Sequence, residues 1–395
     1  MAPASSASQR VEVSWTDIDH LLDAHPGLAV GALQIEAARR GVDVAGAVPN
    51  PTLEGNLGQG FARTGGGSGV EWGLALNVPL DWIARRGSRI SAAEAAVEVA
   101  VAERQALRRD VELQLKTLYW SLVHEQALVE SLGELEAQSA ALVHTVGMRV
   151  DTGEVRPVEV TRVEIEFHKI SGESEAAYTL LAARQAQLAL WLGVRRGTTI
   201  VAIADLTALP VVIDLDTALD RLRATHPDLL TARARLRALQ AEVETEKMAR
   251  VPAISLIGHA DDELDRRAYG VGLAVDLPLF NWNVGSIGQA EAMAAAGRQR
   301  VEQVERDLED AVIEGHAACL ASIQTATRLG TQVVPRAEDA ATTMEKTYML
   351  GELNLIELID ARRTLNEARR LHLDALAQAH IDCSRLDALV PEEPR

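Results

Sequence analysis

The chain repeats itself. His25-Pro26 returns as His226-Pro227, 201 positions later, and Gly73-Leu-Ala-Leu-Asn-Val-Pro-Leu80 returns as Gly272-Leu-Ala-Val-Asp-Leu-Pro-Leu279, at a shift of 199. Gly87-Ser88 with Gly285-Ser286, Ala93-Glu94-Ala95 with Ala290-Glu291-Ala292, and Gly153-Glu154 with Gly351-Glu352 follow in the same order at shifts of 197 or 198. Five landmarks in one order define a tandem duplication, so whatever one half builds, the other half must build again.

Each half reads the same way. A helix comes first, over about 16–45 and again over about 217–248. Pro49-Asn-Pro51 and Val251-Pro252 then end it, because proline stops a helix and favours extended chain. A β-hairpin follows, over 51–80 and 252–280, around the polar turns 63–69 and 261–267. A long helical stretch leads away from each hairpin. The first, 85–150, contains no proline, and the second, 286–350, contains only Pro335, which predicts a kink there. Each is about 65 residues, or roughly 100 Å at 1.5 Å per residue. Leu107, Val111, Leu115, Leu118 and Leu122, and Val301, Val304, Leu308 and Val312, recur at the three- and four-residue steps of coiled-coil-like packing.

Tight tips close the long helices at 151–155 and 350–354, where Gly153 and Gly351 suit a C-terminal cap that turns the chain back. Return helices run to about 192 and 389. Residues 193–216 form a linker with β-character, in 198–203 and 209–213, between repeat 1 (16–192) and repeat 2 (217–389). Residues 1–15 read as a disordered lead, and 390–395 as a tail.

The returning strands carry a period of two. Val70, Trp72, Leu74, Leu76, Val78 and Leu80 alternate with Glu71, Gly73, Ala75, Asn77 and Pro79, and Val271, Leu273, Val275, Leu277 and Leu279 alternate with Gly270, Gly272, Ala274, Asp276 and Pro278. An ordinary half-buried hairpin gives this pattern, and so does a transmembrane barrel strand of about 9–11 residues. No run of about 18 apolar residues exists, so a membrane role must use strands. Known single-chain membrane barrels start at eight strands, so four strands would have to share a barrel with other copies, and the long helices would extend it as a tube.

Composition narrows the function further. A net charge of −18 leaves nothing to neutralise phosphates and argues against nucleic acid. Aromatics make up only 3%, which leaves a thin girdle at Trp82, Phe280 and Trp282. The segment 1–10 has neither the charged nor the apolar region of an export signal. That leaves three readings: a removed leader, a misplaced start, or a chain that is not exported.

With its order of Asn50-Pro51-Thr52, Pro79-Leu80, Pro278-Leu279-Phe280, Gly285, Ala290-Glu291-Ala292, Thr152-Gly-Glu154 and Tyr348-Met-Leu-Gly-Glu352, the chain resembles the TolC-type outer-membrane efflux family over about 15–389. The corner Leu80-Asp-Trp-Ile-Ala-Arg-Arg-Gly87 is similar to its heavy-metal branch. The resemblance implies a mainly α fold with two β-hairpins per chain, giving four strands to a trimeric twelve-stranded barrel in outer-membrane lipid, and a helical tunnel in the periplasm. It implies three kinds of protein partner: two further copies in a homotrimer, a periplasmic adaptor (membrane fusion) protein, and an inner-membrane pump of the RND type. It also implies that cargo passes unchanged and that no cofactor is needed. The tips Gly153, Glu154, Gly351 and Glu352 would meet the adaptor at the periplasmic entrance. Pro79, Gly87, Pro278 and Gly285 would mark the strand-end corners. Asp151, Glu159, Glu357 and Asp360 are candidates for an acidic pore constriction favouring cations, and equally for a solvated helix surface.

No catalytic constellation stands out. His316-x-x-Cys319 and His380-x-x-Cys383 each place two soft ligands on one helix face, a pattern that fits core packing better than a metal site. The spacing of the two cysteines implies no bridge. The competing reading is a soluble coiled-coil scaffold or adaptor, which would explain the missing leader but not the duplicated hairpins. An enzyme comes third.

Overall fold

The computed structural model describes residues 10–20, 22, 25–61, 65–194 and 198–391. The chain divides into two compact units. One gathers the segment ending at Ala29, Leu107–His226 and the segment from Asp307, and the other gathers Val30–Ala106 and Pro227–Arg306.

Residues 10–15, expected as part of a disordered lead, are ordered. Residues 1–9 lie outside the described residues, but β1 (Arg10–Val13) pairs in parallel with β4 (Thr199–Ala202), Val11 opposite Ile200. Next, α1 (Trp15–Asp19) opens with a capping box: the Asp17 amide donates to Ser14 Oγ at 3.3 Å, and the Ser14 amide donates to Asp17 Oδ2 at 2.9 Å. The single helix expected over 16–45 is therefore broken, because α2 (Pro26–Gly46) starts afresh at Pro26. The second half splits at the same motif into α5 (Leu215–Thr225) and α6 (Pro227–Met248), with His226 in an extended conformation between them. Proline has no N–H to continue the first helix and a fixed φ that suits the first position of the next.

In the first unit, α3 (Trp82–Asp151), a helix of 70 residues in all, packs through Val111, Leu115, Tyr119 and Leu122 against Ile18, Leu188 of α4 (Pro157–Trp191) and Ile200. Gln126 extends the small sheet by using its side-chain amide as a strand would: it donates to the Ala202 carbonyl at 3.0 Å and accepts from the Ala202 amide at 2.8 Å. Tyr119 donates to the Ile203 carbonyl at 2.7 Å, and burial pushes its phenol up to about 12. Of the linker, 198–203 is the part that forms a strand, whereas 209–213 does not; residues 195–197 lie outside the described residues.

The second long helix is interrupted. It runs as α7 (Val284–Arg328), a π-helical stretch Leu329–Val333 and α8 (Val334–Met349), followed by the return helix α9 (Leu355–Leu389). Pro335 cannot donate to the preceding turn, and the widened π stretch just before it absorbs that missing bond. Cys319 of α7 and Cys383 of α9, for which the spacing implied no bridge, form a disulfide with Cα atoms 4.8 Å apart. No thiolate is left for a soft-metal site.

The second unit carries an antiparallel sheet in the order β2-β3-β5-β6, formed by β2 (Thr52–Phe61), β3 (Ser68–Pro79), β5 (Ile254–Glu263) and β6 (Arg266–Val275). The turn expected over 261–267 shrinks to Leu264-Asp265, because Glu263 already pairs with Arg266. Apart from Asp265, its charged residues are strand residues: Arg267 lies 3.2 Å from Asp262, and Arg266 lies 3.4 Å from Glu263. Residues 62–64 of the first expected turn lie outside the described residues.

Candidate functional site

The sheet is turned inside out by the standards of a water-soluble protein. On β3, Val70, Trp72, Leu74 and Leu76 are exposed, while Glu71, Gly73, Ala75 and Asn77 between them are covered. On β6, Val271 and Leu273 are 83% and 69% exposed. The register puts these residues on one face with Leu53, Leu57 and Phe61 of β2 and Ile254 and Leu256 of β5. The opposite face carries Glu54, Asn56, Glu71, Asn77, His259 and Asp261, and several of these side chains lie over glycines: Glu71 over Gly60, Asp261 over Gly73 and His259 over Gly270. An apolar face of this width is stable against hydrocarbon and costly against water. Among the described residues β2 and β6 are unpaired edges, a state that lipid does not tolerate.

The corners differ between the repeats. Pro79 ends β3, as expected, and the Leu80 amide still donates to the Ile254 carbonyl at 2.7 Å. Pro278 does not end a strand: the β6 ladder stops at Val275, opposite Ile254, and is followed by one further bond, from the Asp276 amide to the Ala253 carbonyl at 2.9 Å. Gly87 is not at a bend either but inside α3, whereas Gly285 is the second residue of α7. Arg85 holds the first corner by donating to the Val251 carbonyl at 2.6 Å, and Arg250 holds the second by donating to the Trp282 carbonyl at 3.0 Å.

Both tips, in the first unit, are built alike. Gly153 and Gly351 adopt φ of 80° and 78°, in the left-handed region. The Glu154 amide donates back to the Arg149 carbonyl at 2.9 Å and the Gly153 amide to Val150 at 2.9 Å. The Glu352 amide donates to Thr347 at 3.1 Å and the Gly351 amide to Tyr348 at 3.0 Å. These are paired Schellman caps, which satisfy the last carbonyls while reversing the chain. Beneath them Val146, Val163, Tyr348, Leu355 and Leu358 form a shared core. Arg149 ties the tips together: its Nη1 donates to the Tyr348 carbonyl at 3.3 Å, its guanidinium lies 5.1 Å from the Tyr348 ring centre, and its Nε donates to Glu154 at 3.0 Å. Burial pushes the Tyr348 phenol up, against the pull of the Arg149 charge.

The proposed acids are not equivalent. Asp151, Glu357 and Asp360 are exposed. Glu159 is largely covered and lies 3.7 Å from Arg156 at the start of α4. Glu357 accepts from the Asn354 side chain at 2.8 Å, and its amide donates to Asn354 Oδ1, the cap of α9. Tyr348 was singled out from the sequence only as part of the second tip motif, and Arg149 not at all; its nearness to Gly153 in chain order is the available signal.

An exposed apolar sheet face with two open edges, duplicated helices and two capped tips together define a membrane β-barrel protein of the outer-membrane duct class. The chain belongs to the outer membrane efflux protein family, whose profile matches residues 18–194 and 218–390. It is 27% identical over 366 residues, 92% of this chain and 86% of the relative, to the cobalt-zinc-cadmium resistance protein CzcC of Cupriavidus metallidurans. Its fold matches that of a membrane protein from Pseudomonas aeruginosa, with a TM-score of 0.83, 20% identity and coverage of 95% of this chain and 92% of that one. It also matches the open state of the outer membrane channel MtrE of Neisseria gonorrhoeae, with a TM-score of 0.76, 18% identity and coverage of 98% and 93%. The chain is therefore an outer-membrane efflux duct with its helical part in the periplasm, and it passes cargo without chemistry. Members of the family form trimers and serve tripartite efflux systems.

Proposed function

We propose that three copies of this chain close a twelve-stranded barrel and that the duct exports metal cations delivered by an RND-type inner-membrane pump through a periplasmic adaptor. The observation that carries the assembly is the four-stranded sheet whose apolar face is exposed and whose edges β2 and β6 lack partners among the described residues. Edge-to-edge pairing around a three-fold axis removes every edge. The cation reading rests on the likeness to the cobalt-zinc-cadmium resistance protein and on a net charge of −18.

In this account Gly153, Glu154, Gly351 and Glu352 form the surface on which the adaptor docks, because the Schellman caps present Glu154 and Glu352 at the turn. Asp151 and Asp360, exposed at the tips, are the stronger constriction acids. Glu159 and Glu357 already serve their own helix starts.

Two measurements test this reading. Native mass spectrometry in detergent should give three times the chain mass of 42.6 kDa, and a monomer as the only species would remove the shared barrel. Gly153→Pro and Gly351→Pro should each abolish metal export in cells while leaving the trimer intact. Export that survives both changes would show that the adaptor docks elsewhere.

A further inference from the structure

We propose that the Cys319–Cys383 disulfide is installed by thiol–disulfide exchange as the chain folds in the periplasm, and that it secures the linker between the two repeats by fixing the two histidines that hold it.

The geometry begins with a pair of matched motifs. His316 and Cys319 lie three residues apart on α7, and His380 and Cys383 lie three apart on α9. The two helices run antiparallel, with Gly315 against Leu386, Cys319 against Cys383 and Gly330 against His372. The histidines consequently fall on opposite sides of the disulfide along the helix axes, each about 4.5 Å away at 1.5 Å per residue. Each ring meets a different linker carbonyl: His316 Nε2 is 3.0 Å from that of Ile213, and His380 Nε2 is 3.0 Å from that of Leu206. Trp120 stacks on His380 with ring centres 3.7 Å apart, which fixes that ring in place.

The linker needs this help. Leu206 is buried, and Val212 and Ile213 pack partly against the cluster around the disulfide, but Val211 is 98% exposed and Ile203 is 54% exposed. Burial therefore holds the segment at its two ends, and the histidine bonds fasten the same two ends. The linker occurs once in the chain, and so does the clamp: at a shift of 198, the first repeat has Leu118, Ser121, Ala182 and Gln185 where the second has His316, Cys319, His380 and Cys383.

Burial dictates when the bond forms. Cys319 and Cys383 are 1% and 3% exposed inside a cluster with Ala218, Leu222, Val312 and Leu386. Exchange must therefore precede the packing of α5 over them. A dithiol-oxidant protein in its disulfide form is the required co-reactant. One cysteine thiolate attacks the oxidant's disulfide, giving a mixed disulfide and one released thiol. The second cysteine then attacks the mixed disulfide and releases the other, so two thiols are oxidised and one oxidant disulfide becomes a dithiol. Oxidising compartments supply such proteins, and the periplasmic location of the helical part places this chain in one.

The test uses full-length protein purified from the outer membrane. Maleimide-polyethylene glycol should label no cysteine in denaturant alone and two after reduction in denaturant. Two labelled thiols without reduction would overturn the proposal, and wild-type insertion into membranes separates that result from a failure of the duct reading. Hydrogen exchange over 203–213 should speed up at least tenfold in C319A/C383A. If that variant fails to assemble, His316→Leu and His380→Leu, with the disulfide intact, should loosen the Ile213 and Leu206 ends respectively. Unchanged exchange in the histidine variants would refute the clamp.

Discussion

Arg149 of the first tip holds Tyr348 of the second, through a 3.3 Å hydrogen bond to its backbone carbonyl and a guanidinium 5.1 Å from its ring centre. The two tips of one chain are thereby joined at their roots, above the Val146, Val163 and Leu358 core. A partly buried cation over an aromatic ring contributes on the order of 1 kcal/mol. Arg149→Gln keeps much of the length of the side chain and loses the charge. It should raise the resting conductance of single channels several-fold with little change in melting temperature, and an unaltered resting conductance would show that this contact does not restrain the entrance.

Gly153→Ala and Gly351→Ala probe the caps alone. Nothing lies within 4 Å of a β-carbon at either position, so any cost comes from backbone strain at φ of 80° and 78°. Each change should cost about 1 kcal/mol. Thermal melts followed by circular dichroism measure this, and a melting temperature equal to wild type in both variants would contradict the cap geometry.

Acid should loosen the return helices. Arg363 of α9 donates to Glu166 of α4, through Nε at 2.9 Å and through Nη2, and with help from Lys169 this holds the Glu166 carboxyl below its ordinary value of 4.5. Because the folded-state value is depressed, the contribution is fully present above the unfolded value and is lost as pH falls below 4.5 toward the folded one. Melting temperatures recorded from pH 7 to pH 3 should therefore fall more steeply in wild type than in Glu166→Gln; parallel curves would mean that the pair is energetically silent.

The two faces of the sheet should respond oppositely to polar substitutions. Leu74→Arg on the apolar face of β3 should cost about 2–4 kcal/mol if it lies near the bilayer midplane, and should block outer-membrane assembly. Ala75→Ser, one residue on and facing the other way, should assemble normally. Heat-modifiable migration on gels reports assembly, and normal assembly of Leu74→Arg would place that face away from lipid.

What the sequence made legible was whatever depends on local period and on repetition. The alternation from Val70 to Val78 specified β3, and the duplicated Gly-Glu pairs specified the tips, because glycine at a left-handed position leaves a mark in a single residue. Contacts between distant segments left no such mark. Cys319 and Cys383 are 64 positions apart and meet only because α7 and α9 pack antiparallel. The pairing of Val11 with Ile200 spans a whole repeat. The charges Asp262 and Arg267 looked like a turn, yet they pair across two strands. The break at His25-Pro26 is visible as a repeated motif, but its consequence, a fresh helix start at Pro26, rests on the conformation of the residue before each proline.

The central claim is that the exposed apolar sheet belongs in a membrane as part of an open duct, and single-channel recording of the purified protein in a planar bilayer tests it most directly. The predicted result is discrete conductance steps of low resting amplitude that favour cations, as a constriction formed by Asp151 and Asp360 would produce. Protein that stays out of the bilayer, or that inserts without conducting under any condition, would contradict the account.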